Sequence, residues 1–114
     1  MGYELFQQRD ELQKRLSHGI DLMAKYGNEY AKTRQEYEVE KAKAALRMRE
    51  EGVPVTQIQM VIYGTGNVPK KRFERDTAEV MYKTAQENIQ SIKLQLRLIE
   101  AQIDREWGQA KREV

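Results

Sequence analysis

The residues most able to do chemistry lie in one short stretch. It is Tyr63-Gly-Thr-Gly-Asn-Val-Pro-Lys-Lys-Arg72, with Arg75 one turn further on. Its glycine spacing invites comparison with a phosphate-binding loop, which needs GxxxxGK[ST] so that backbone amides can cradle phosphate. Pro69 stands where the second glycine belongs and removes an N–H, and Lys71 stands where a Ser or Thr would hold Mg²⁺. The pattern therefore fails as a nucleotide-hydrolysis motif. It survives as a simple anion site, with Gly64, Thr65, Gly66 and Asn67 forming the turn and Lys70, Lys71, Arg72 and Arg75 supplying charge at a helix start. These cations sit where the helix dipole disfavours positive charge, and an anionic partner would offset that. Tyr63 adjoins the turn and can stack on a ring.

The rest of the chain offers no catalytic set. It has no cysteine and a single histidine, His18, so thiolate chemistry and a multi-histidine metal site are excluded within one chain. His18 reads as a surface residue. The carboxylates have opposite charge at helix-neighbour spacing, as in Glu11 with Arg15 and Glu79 with Lys83. No nucleophile with an orienting base emerges, so the expectation is a protein that is not an enzyme, with no cofactor and no metal.

Two prolines, Pro54 and Pro69, bracket a connector unlike its flanks. C-terminal to it, Ala78, Tyr82, Ala85, Ile89, Ile92, Leu96, Ile99, Ile103 and Ala110 alternate spacings of four and three, broken only at Glu106. This predicts one helix from about 69 to about 113. N-terminal to it, Leu5, Leu12, Leu16, Met23, Tyr26, Tyr30 and Tyr37 share a heptad frame, after which the stripe is expected to shift to Val39, Ala42 and Leu46. Gly19 and Gly27 interrupt without a slip of phase, so one helix from about 3 to about 51 is expected, with a possible break at Gly27. Between them, Val55 to Tyr63 fits a short helix better than a strand, which would lack a partner.

Together these elements predict an all-α fold spanning 1–114 as a single domain. It is a long antiparallel two-helix coiled-coil hairpin with a short helical connector at 52–68. A fold-back near residue 60 would set Tyr37 near Tyr82, Tyr30 on Ile89, Met23 on Leu96, Leu16 on Ile103 and Leu12 near Trp107. A second apolar stripe, Val80, Leu94, Leu98 and Ala101, lies away from the seam and reads as an oligomer interface in a homo-oligomeric bundle.

Charge points to the connector. The formal net charge is +2, too small to argue for nucleic acid by itself. Residues 1–51 balance ten positive against ten negative charges, whereas 52–75 sets four cations against Glu74 alone. The mean hydropathy of −0.85 and the lack of a spanning apolar run argue against a membrane partner, and a cytoplasmic setting is expected.

Three stretches resemble a known group when taken together. They are Tyr3-Glu-Leu-Phe6, Glu51-Gly-Val with Val61-Ile-Tyr-Gly64, and Arg72-Phe-Glu-Arg-Asp76 with Ser91-Ile-Lys-Leu and Arg105-Glu-Trp-Gly108. The chain resembles small helical proteins of tailed phages and prophages of Gram-positive bacteria, a family of uncharacterised function. The resemblance implies a role in the host cytoplasm, exerted by binding. The first expectation is antagonism of host defence, by capturing an anionic target, a nucleotide signal or a host protein, at the basic glycine turn. A second is a DNA-binding accessory factor, in which 52–82 acts as a helix-turn-helix-like segment and Lys70, Lys71, Arg72 and Arg75 meet phosphates. A third is a structural coiled-coil protein of the virion.

Overall fold

A computed structural model describes residues 2–113, with side chains from 3 to 108. The chain is all-α, a helical hairpin with a short helical connector. Helix α1 runs Gly2–Glu50, α2 runs Val55–Val61 and passes into a 3-10 turn at Ile62–Gly64, and α3 runs Val68–Glu113. Both long helices are continuous, α1 through Gly19 and Gly27 included. The side chain of Ala110, the last heptad position expected from sequence, lies outside the described residues.

Packing divides the chain into two compact units. One joins Met1–Ala24 to Lys83–Val114, and the other is Lys25–Tyr82.

In the first unit α1 and α3 pair through the expected heptad residues. Leu5, Leu12, Ile89, Ile92 and Ile103 are buried, and Leu16, Leu96 and Ile99 are half-buried. Gly19 belongs to this seam. A Cβ placed there would meet Ile89 Cγ1 at 3.4 Å, an ordinary van der Waals contact, so the isoleucine packs directly over this position. At the other end Phe6 packs on Trp107 with ring centroids 6.0 Å apart. Arg9 lies over the Phe6 ring at 4.9 Å and reaches Glu100 at 3.9 Å.

The second unit has a third element. Tyr37, Ala44 and Met48 of α1 bury against Ile58 of α2, Ile62 of the 3-10 turn and Val68 at the start of α3. The α1 stripe does not shift to Val39, Ala42 and Leu46, which are exposed. It continues through Thr33, Tyr37, Ala44 and Met48. Thr33 can occupy a seam position because its hydroxyl donates to the carbonyls of Glu29 and Tyr30, leaving only its methyl to pack.

The chain reverses through specific backbone devices. Gly52, at φ +84°, ends α1 in a Schellman arrangement: its N–H bonds the Arg49 carbonyl and the Val53 N–H bonds that of Met48. Val53 then packs on the core cluster. Pro54 opens α2, its carbonyl accepting from Ile58 N–H. Gly66, at φ +54°, turns the chain into α3, where Asn67 C=O accepts the first helical bond from Lys71 N–H.

The facing register differs from the one expected. Tyr30 meets Tyr82 and Glu36 meets Lys71 in one unit, while Gly19 meets Ile89 and Phe6 meets Trp107 in the other. Facing numbers thus add to about 110 rather than about 120, a difference on the scale of two to three helical turns. The physical reason is the connector. The short helix expected at Val55–Tyr63 is present, but α2 and the 3-10 turn bury Ile58 and Ile62 against Ala44 and Met48 of α1, so the fold-back is not centred near residue 60 and α3 starts further down that helix.

Candidate functional site

The candidate residues from the connector all fall in the second unit, but the fold sorts them onto different sides. Lys71 turns to carboxylates. Its Nζ lies 3.4 Å from Glu36 and 3.3 Å from Glu74. The Glu74 hydrogen bond leads in raising its pKa above 10.5, with Glu36 adding to it. The unfavourable cation at the helix N-terminus is therefore partly compensated inside the chain. That removes one reason for inferring an external anion at Lys71.

Arg75 is also engaged. It forks onto Asp76 Oδ1 at 3.0 and 2.8 Å, and this hydrogen bond leads in raising its pKa. Its guanidinium also lies 4.3 Å from the centroid of buried Tyr37. Lys70 is exposed, and the Val68 amide is spent on the Thr65 carbonyl. The Thr65 hydroxyl donates to the Val61 carbonyl at 2.8 Å. Gly64, Gly66 and Asn67 are exposed in the turn.

Around Tyr63 the arrangement is different. The ring is half exposed, with Arg72 at 5.3 Å and Lys41 at 5.1 Å from its centroid. Lys41 also lies 5.9 Å from the Tyr37 ring. Among the described residues neither Lys41 nor Arg72 forms an ion pair with a carboxylate. Each is held over aromatic faces, a contact that orients a cation without neutralising it.

Tyr63 closes one end of a groove of about 510 Å³ between α1 and α2. Ala45, Val55, Ile58 and Ile62 form its apolar lining. Lys41 and Arg49 lie two helical turns apart on the α1 side, and Gln59 adds an amide on α2. The volume is within the usual range for small-molecule sites. A second groove in this unit, about 600 Å³, runs past Tyr26, Phe73 and Met81, but its lining sets Glu29, Glu36 and Glu74 against Lys32 and Lys71, and Lys71 is already paired.

Sequence reading singled out Tyr63, Arg72 and Arg75 and missed Lys41, Arg49 and the groove. Lys41 follows Tyr37 by one helical turn, which hints at their contact. Its approach to Tyr63 depends on how α2 folds back, which no local pattern encodes. The expected interface residues are exposed: Val80 in this unit, and Leu94, Leu98 and Ala101 in the other. Among the described residues no cluster of metal-ligating side chains occurs, and no helix is long and apolar enough to cross a membrane. No protein-family profile matches this chain, and neither a curated protein nor a solved structure matches it significantly.

Proposed function

We propose that this chain works by binding rather than catalysis, and that its target is an anionic small molecule of the nucleotide type held in the α1–α2 groove. The observation that carries the reading is the pair Lys41 and Arg72, unpaired with any described carboxylate and lying 5.1 and 5.3 Å from the centroid of the Tyr63 ring, which with Lys41 lines the groove. A phosphate there would accept hydrogen bonds from both cations, while the base or sugar lies along Ala45, Val55 and Ile58. Arg49 is available to a second charged group at the far end. The resemblance to small phage proteins supports the biological form of this reading, sequestration of a nucleotide signal of host defence in the host cytoplasm.

Isothermal titration and thermal shift against cyclic and ADP-ribose-type nucleotides test it. Binding by the native chain, weakened at least about tenfold in Lys41→Ala and in Arg72→Ala, is expected. Binding that survives both substitutions refutes the site. No binding by any member of the panel refutes the nucleotide class.

A further inference from the structure

The first unit carries a surface that the ligand reading does not use. On α3, Glu87, Ser91, Leu94, Leu98, Ala101 and Arg105 follow one another at spacings of four, three, four, three and four. That is a heptad stripe, and it lies on the side of the helix away from the Ile89, Ile92, Leu96, Ile99 and Ile103 seam. All six residues are exposed, Leu94 by 50% and Leu98 by 61%.

The order of residue types along this stripe is the same read forwards or backwards, with the charge sign reversed. It runs acid, small, leucine, leucine, small, base. We propose that this face of α3 takes the same face of a second copy of the chain in an antiparallel, two-fold arrangement. Centred between Leu94 and Leu98, the pairing sets Leu94 against the partner's Leu98 and Ser91 against the partner's Ala101. Glu87 then meets the partner's Arg105, and each contact occurs twice, as an isologous interface requires. The small residues let the helix axes approach, and the heptad spacing suits the shallow crossing of left-handed bundles.

Two further observations fit this occupant. Among the described residues neither Glu87 nor Arg105 has an ion-pair partner within the chain, so both are available across the interface. Ser91, the polar member of the centre, already accepts a hydrogen bond from Gln95 Nε2 at 3.2 Å, so covering it strands no hydroxyl oxygen. A parallel pairing would instead set Glu87 on Glu87 and Arg105 on Arg105.

Sedimentation equilibrium of the full chain tests the proposal, over about 10 to about 300 µM, the regime of an interface below standard size. The weight-average mass is expected to rise toward twice 13.4 kDa. Leu94→Glu with Leu98→Glu should abolish that rise while helical circular dichroism is retained. Glu87→Arg alone should weaken association about tenfold, and adding Arg105→Glu should restore it, because the swap regenerates both cross-pairs. As the chain has no cysteine, oxidising a mixture of Ser91→Cys and Ala101→Cys chains gives an independent reading. The mixed disulfide should dominate. A native chain that stays monomeric, association that survives the leucine pair, a charge swap that fails to restore it, or a dominant Ser91→Cys homodisulfide would each overturn the proposal.

Discussion

Replacing Gly19 and Gly27 separately by alanine tests the facing register, because the two glycines differ in what their new methyl would meet. Inside a helix, Gly to Ala should stabilise by about 1 kcal/mol through backbone entropy alone. At Gly19 the added Cβ would sit 3.4 Å from Ile89 Cγ1 and 3.7 Å from Asn88 Nδ2, ordinary contacts that need no rearrangement. Gly19→Ala should therefore realise the gain, raising stability by about 1 kcal/mol and Tm by about 4 °C. At Gly27 the Cβ would sit 3.1 Å from Tyr82 Cε1 and 3.5 Å from Cδ1. The ring must move by a few tenths of an ångström, and it also packs against Tyr30, 6.1 Å away centroid to centroid. Overpacking of this kind costs about 1–3 kcal/mol, which cancels or outweighs the helical gain.

The expected ordering is Gly19→Ala above the native chain and Gly27→Ala at or below it, with about 1–3 kcal/mol between the variants. Urea titration followed by far-ultraviolet circular dichroism measures both. A second variant isolates the cause: Gly27→Ala combined with Tyr82→Leu should show a smaller penalty for the methyl than Gly27→Ala alone. Equal stabilisation at both glycines would refute the packing of Tyr82 over Gly27, and with it the register that brings Lys71 to Glu36.

Gly52→Ala should lose about 1 kcal/mol, because φ +84° is strained for a side chain even though its Cβ would meet nothing within 4 Å; a thermal melt measures it, and an unchanged Tm would contradict the left-handed helix end. Lys71→Met should lower Tm by an amount that is constant through neutral pH and shrinks only as pH rises above about 10.5. The pKa of Lys71 is raised by Glu74 and then Glu36, so its contribution is complete below the unfolded value and lost through the higher folded one; a difference that vanishes near neutrality would contradict the pairing. Trp107, the single tryptophan, lies in the unit built from two helix segments, whereas the other unit adds the α2 core. Its fluorescence should therefore change at lower urea than the total helical signal, and coincident curves would show that the units unfold together.

Much of the fold could be read from periodicity because heptad spacing reports directly which side of a helix is buried. Ile89, Ile92 and Ile103 are seam residues for that reason. The failures share a different cause. Thr33 and Gly19 occupy seam positions without apolar side chains of any size, so a search for large hydrophobics passes over them. Val39 and Leu46 look like seam residues by type, but α2 covers Ala44 and Met48 instead. The register was misjudged because a connector of unknown thickness leaves the reversal point undetermined. Ile58 and Ile62 could be identified as one face of a helix, but not the part of α1 that they cover.

The same distinction governs the candidate site. The concentration of charge in 52–75 is a property of the sequence, yet charge density alone does not say which cations are free to bind. Lys71 and Arg75 are drawn to Glu36, Glu74 and Asp76, so two of the four local cations already have anionic neighbours. Arg72 keeps its charge unpaired over Tyr63, and α1 contributes Lys41 to the same ring and Arg49 to the same groove. The cations with binding potential therefore come from two helices far apart in sequence, brought to one ring by the fold-back of α2. A substitution that loosens α2 without touching a charge, such as Ile58→Ala, should lower stability by about 2–5 kcal/mol as a buried truncation. If the site is assembled in this way, Ile58→Ala should also weaken ligand binding measured well below its own Tm. Ligand affinity that is indifferent to Ile58 would place the binding cations on α3 alone.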